Sequence, residues 1–119
     1  MKYNGYLTTD EYGLLTCDNS VLVDMIEPHF AVGQVVSVRY FITDTFATEK
    51  EVEKALVIQS FGGKIDELKF VLDAWSEYSI EDLAEDLKIG GHDLIDELSN
   101  YEGKYLILII EEINERSNR

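Results

Sequence analysis

Six consecutive apolar residues, Tyr105-Leu106-Ile107-Leu108-Ile109-Ile110, stand between Lys104 and Glu111. A strand sends successive side chains to opposite faces, so an unbroken apolar run bounded by charge predicts a strand covered on both sides, from Lys104 to Ile110. Such a strand belongs inside a sheet, with another layer packed over it. The run is too short to cross a bilayer, which takes a helix about 20 apolar residues. Met1 to Tyr6 lacks the apolar core of a signal peptide, so neither export nor a membrane span is expected.

Upstream the pattern is that of half-buried strands. Gln34 to Thr43 alternates Val36, Val38, Tyr40 and Ile42 against Ser37, Arg39 and Thr43, and Val52 to Phe61 behaves similarly. The two are expected to pair as a hairpin. Lys2 to Thr8, Gly13 to Cys17 and Leu68 to Trp75 are further strand candidates, separated by the turn-prone Asp10-Glu11, Asp18-Asn19 and Gly62-Gly63. Ser20 to Ile26 fits a strand or a short helix, and Pro28 ends it either way.

From Ser79 the period changes. Ile80, Leu83, Ala84 and Leu87 follow the spacing of one helical face, with Ser79 as N-cap, Asp82 three residues on, and Gly90-Gly91 as the stop. A second helix is expected from about His92 to Tyr101, burying Leu94, Ile95, Leu98 and Tyr101. The predicted fold is therefore α+β: a curled antiparallel sheet or small β-barrel with two short acidic helices inserted before the C-terminal strand. No internal repeat is evident. One domain should occupy residues 1–113, followed by a polar tail at 114–119 that frays.

Charge narrows the function classes. The chain carries 24 Asp and Glu against 10 Lys and Arg, a net charge of -14. Contact with nucleic acid or an anionic membrane relies on Lys and Arg, so the partner expected is a basic one. At 45% hydrophobic and 11% aromatic residues the chain is nonetheless too apolar for a disordered acidic tail. Cys17 is a lone cysteine that forms no internal disulfide, which fits a reducing cytoplasm and a buried, inert thiol.

Ten of the acids lie between Asp73 and Glu102, where Lys88 is the sole basic residue. Helix formation would turn Glu81, Asp82, Glu85 and Asp86 to water, joined by Asp93, Asp96 and Glu97. Like charges four apart, Glu81 with Glu85 and Asp82 with Asp86, cost roughly 0.2–0.5 kcal/mol per pair, which a binding face would justify and a merely solvated face would not require. Trp75 and Tyr78, set among Asp73 and Glu77, add aromatic contacts suited to Arg and Lys. Core packing explains Trp75 equally well.

Catalytic and metal motifs do not emerge. Asp18 to Glu27 places Leu22 and Val23 where a calcium loop needs ligands or turn residues. His29 and His92 have no ligand at zinc-site spacing, and Gly90-Gly91 is followed by Asp93 rather than by a phosphate-binding Lys, Ser or Thr. No cofactor is implied. In size and charge the chain resembles bacterial immunity proteins and phage-encoded inhibitors, which block a nucleic-acid enzyme by presenting carboxylates where it expects phosphates. The resemblance implies a non-enzymatic protein that occludes a basic surface, and it assigns no residues. Two alternatives stand behind it: a structural protein assembling as a homo-oligomer, and a small hydrolase using His92 with nearby carboxylates.

Overall fold

The computed structural model describes residues 1–46, 55–73 and 82–113. They form an antiparallel sheet of eight strands: β1 Lys2–Thr9, β2 Leu15–Cys17, β3 Ser20–Val21, β4 Val35–Thr43, β5 Val57–Asp73, β6 Asp82–Ile89, β7 His92–Asp93 and β8 Tyr105–Glu112. Their order across the sheet is β3-β2-β1-β8-β4-β5-β6-β7. Two short helices, α1 Leu22–Ile26 and α2 Leu94–Ser99, follow the edge strands, and α1 runs on into a 3-10 turn, Glu27–His29, that holds Pro28.

The apolar run dictates the centre. β8 lies between β1 and β4, with Leu106, Leu108 and Ile110 in the main core and Ile107 and Ile109 packed with Phe41 and Ala55 on the opposite face. The sheet curls into a half-barrel around α1 and α2, whose Leu22, Val23, Ile26, Leu94 and Leu98 share one core with Val36, Val38, Tyr40 and Ile42 of β4. The expected hairpin forms as β4 with β5, in the register Ile42↔Val57 to Val35↔Lys64. It starts at Val57, and residues 52–54 lie outside the described residues.

Three expectations are corrected. The segment read as the first acidic helix is strand β6 over 82–89; residues 79–81 lie outside the described residues. Leu83, Leu87 and Ala84 satisfy a helical spacing, but Leu83, Glu85, Leu87 and Ile89 also alternate, opposite Leu72, Phe70, Leu68 and Ile65 of β5. The other face of β6 sets Asp86 opposite Lys69 and Lys88 opposite Glu67, opposite-charge pairs that favour a ladder. Second, Gly62-Gly63 do not break the chain, because β5 runs through them. Third, the second helix is shortened to Leu94–Ser99, with Asp93 as its N-cap accepting from the Asp96 amide. The polar tail at 114–119 lies outside the described residues.

The two halves of the molecule repeat one another in structure, although no repeat is evident in the chain. Each half runs strand, strand, two-residue turn, short edge strand, helix, final strand: β1-β2-β3-α1-β4, then β5-β6-β7-α2-β8. The turns Asp18-Asn19 (φ 50° and 67°) and Gly90-Gly91 (φ 56° and 84°) are both left-handed pairs, as two-residue hairpins require. Backbone bonds repeat as well. Asp18 N donates to Tyr6 O and Gly90 N to Lys64 O; Leu7 N donates to Lys104 O and Ile65 N to Gln34 O; Gly103 N donates to Leu7 O and Gly33 N to Ile65 O. The register thus equates Tyr3 with Phe61, Gly5 with Gly63, Leu7 with Ile65, Ser20 with His92 and Met25 with Glu97. Each half lends its final strand to the other: β4 pairs with β5 and β8 with β1.

Candidate functional site

Curling brings the second strand from each end of the sheet together, and a side chain bridges them. Glu85 sits on the inner face of β6, where its apolar neighbours Leu87 and Ile89 are buried, and its Oε2 accepts from the Leu15 amide of β2 at 2.8 Å. Burial raises the pKa of Glu85, the Leu15 hydrogen bond opposes this, and the charges of Asp10, Asp86 and Asp93 raise it further. Asp10 is fixed by accepting from the amides of Tyr12 and Leu14, each at 2.9 Å, and Asp93 by capping α2.

Of the residues singled out in the sequence, Glu85 and Asp93 therefore share one acidic seam, and Asp86 acts on it from the other face of β6, where it stands opposite Lys69. Asp10 joins them from a turn far away in the chain, with no local signal to announce it. Asp96 is exposed on α2. Asp82 contributes its backbone to β6 opposite Asp73. Trp75, Tyr78 and Glu81 lie outside the described residues.

Glu97 does something else. Its Oε1 accepts from the buried Tyr40 hydroxyl at 2.9 Å and its Oε2 meets His92 Nδ1 at 2.8 Å, while the imidazole lies flat on Phe61, centroids 3.8 Å apart and planes 9° apart. The Tyr40 pKa is raised, chiefly by burial and then by Glu97. This network ties α2 and the edge strand β7 to β4 and β5. It holds the carboxylate and imidazole of a general-base pair, with the ring's Nδ1 committed to Glu97. The burial of Cys17 is as expected, and burial, then Asp18, pushes its thiol pKa up to about 11, so the thiolate is disfavoured.

Among the described residues no group of three or more His, Cys, Asp or Glu side chains is arranged to hold a metal ion, and no helix is long and apolar enough to cross a membrane. The chain matches no protein-family model, no curated protein and no solved structure.

The raised Glu85 pKa fixes a pH dependence. The folded state holds this proton more tightly than the unfolded chain, so ionising Glu85 lowers stability as pH rises from the ordinary Glu range through the raised value, and the loss is complete above it. Glu85→Gln keeps an acceptor for the Leu15 amide and removes the charge. At pH 7 it should stabilise by about 0.5 kcal/mol after solvent screening, roughly 2–4 °C in Tm, and the gain should vanish near pH 4. Thermal melts at both values check this; an equal gain at each would refute the assignment.

Proposed function

We propose that this protein is a non-enzymatic binder whose acidic seam docks on a basic surface, that of a nucleic-acid-binding protein, and blocks it by occlusion. The observation that carries this reading is Glu85: a half-buried carboxylate bonded across the seam to the Leu15 amide, on which the charges of Asp10, Asp86 and Asp93, all of its own sign, act. Repulsion of this kind raises the energy of the free protein, and cationic side chains from a partner would relieve it. Long-range attraction in a molecule of net charge -14 would also speed encounter with a basic partner and make binding sensitive to salt.

The test neutralises the seam without dismantling it. Asp10→Asn, Glu85→Gln, Asp86→Asn and Asp93→Asn together retain side-chain acceptors for the Tyr12, Leu14 and Leu15 amides and for the α2 cap. Tagged wild-type protein should recover a basic nucleic-acid-binding protein from host lysate, released by a salt gradient, and the fourfold variant should bind that partner at least about tenfold more weakly at low salt. Equal affinity of the two, with circular dichroism showing both folded, would reject the seam as the docking surface.

A second reading, self-association, is favoured by the outer face of the sheet. Its cross-strand rows, Lys2-Ile109-Arg39-Ser60 and Asn4-Ile107-Phe41-Ile58, contain no carboxylate, and Leu56, Ile58 and Phe46 at one end are more than half exposed. Two copies could meet there with little of the repulsion that opposes contact elsewhere. Light scattering on the purified protein decides: a salt-insensitive closed oligomer supports assembly, and a monomer removes it.

A further inference from the structure

The two halves differ in chemistry at three pairs of equivalent positions that meet in space. In the second half the imidazole of His92 covers the ring of Phe61 and is held by Glu97. The equivalent residues of the first half are Ser20, Tyr3 and Met25. Serine has no ring to lay on Tyr3, and there the structure has a cleft of about 250 Å³ lined by Tyr3, Asn4, Cys17, Asp18, Ser20 and Met25, with Lys2 also on its border.

We propose that this cleft binds a small planar heteroaromatic ring carrying an N–H donor, seated on Tyr3 as His92 is seated on Phe61. Its size sets the class. A cavity near 150 Å³ holds a benzene ring, and pockets for drug-sized molecules begin at about 300 Å³, so this volume suits one ring or two fused rings.

The walls define the chemistry. Met25 replaces Glu97 with a polarisable thioether, which packs well against a ring edge but offers no carboxylate. The carboxylate comes instead from Asp18, at the position of Gly90. Asp18 Oδ1 accepts from the Tyr6 amide at 2.8 Å, and its carboxyl group lies over the bare Cα of Gly5, where a Cβ would stand 2.4 Å from its Cγ. Asp18 is thereby held in place as an acceptor for a ring N–H. Cys17 presents a neutral thiol to the cleft, since its pKa is pushed up to about 11. Tyr3 differs from Phe61 by a hydroxyl that is buried with no hydrogen-bond partner among the described residues. That hydroxyl is closed off from the cleft, so the surface Tyr3 offers a ligand is its ring face, and the polar anchor is Asp18.

The experiment supplies in trans the ring that Ser20 lacks. Imidazole and benzimidazole are titrated into ¹⁵N-labelled protein, followed by amide shifts. Saturable shifts should concentrate on residues 3–4, 17–20 and 25 and spare 61, 89–92 and 97, with benzimidazole binding about tenfold more tightly because its fused ring buries more apolar surface. Ser20→His should fill the cleft from within, raise Tm and abolish both titrations. Ser20→Phe provides the same filling without a ring N–H to satisfy, and serves if the histidine variant does not fold. Shifts that fail to saturate, that fall equally on the twin site, or that persist in a folded filled variant would overturn the proposal.

Discussion

Gly63→Ala is expected to cost about 3 kcal/mol, the upper end of the range for overpacking, and to lower Tm by roughly 10 °C or more. A Cβ at Gly63 would stand 2.6 Å from the Cα of Gly90 and 3.1 Å from its nitrogen. Both are backbone atoms, and the Gly90 amide is also tied to Lys64 O at 2.9 Å, so the turn cannot retreat without giving up that bond. The equivalent change in the other half, Gly5→Ala, sets its Cβ against the Asp18 side chain, which can rotate away. Its cost is the hydrogen bond from Tyr6 N to Asp18, about 1 kcal/mol. Denaturant unfolding of the two variants side by side gives the comparison. A Gly63→Ala variant no less stable than Gly5→Ala would mean that the β5 crossing over the Gly90-Gly91 turn is looser than its geometry indicates.

This contrast also shows what kind of information the chain carries openly. β4 and β8 were legible because period and burial agree in them: Val36, Val38, Tyr40 and Ile42 alternate, and Tyr105 to Ile110 is apolar on both faces. β6 was not. Its inner row is Leu83, Glu85, Leu87 and Ile89, and the single carboxylate in that row disguises the alternation, while Leu83, Ala84 and Leu87 imitate a helical stripe. Glu85 points inward because it closes the seam to Leu15, a contact between strands at opposite ends of the sheet that no local window can show.

The structural repeat was hidden for a related reason. The halves share a few identities, among them Gly5 with Gly63, Leu15 with Leu87, Leu22 with Leu94, Asp24 with Asp96 and Gly33 with Gly103. At the turns and beside the paired aromatic rings the residues are unlike, with Asp18 opposite Gly90 and Ser20 opposite His92. What is repeated is backbone geometry, and different residues satisfy it: Asp18-Asn19 and Gly90-Gly91 both supply the left-handed turn. The candidate site follows the same logic. Clustered acids were visible along the chain, but their division into a repulsive seam around Glu85 and a satisfied network around Glu97 arises only when the sheet curls.

Because each half lends its final strand to the other, Leu108→Ala should unsettle the whole protein rather than one half. Leu108 is fully buried, lies opposite Tyr40 in the β4–β8 ladder and pairs through β8 with Tyr3 of β1. Truncating a leucine in such a site costs about 2–5 kcal/mol, a large share of the roughly 5–15 kcal/mol that stabilises a domain. The apolar contacts it loses reach the core around both helices. The expected result is one cooperative transition at a much lower midpoint, reported identically by the near-ultraviolet circular dichroism of core tyrosines such as Tyr40 and by far-ultraviolet circular dichroism. Two separated transitions would show instead that the hairpin and helix of each half hold together without the exchanged strands. The pairing of β4 with β5 and of β8 with β1 makes that outcome the less favourable one, since removing either final strand strips the other half's first strand of its inner neighbour and leaves a long apolar edge in water.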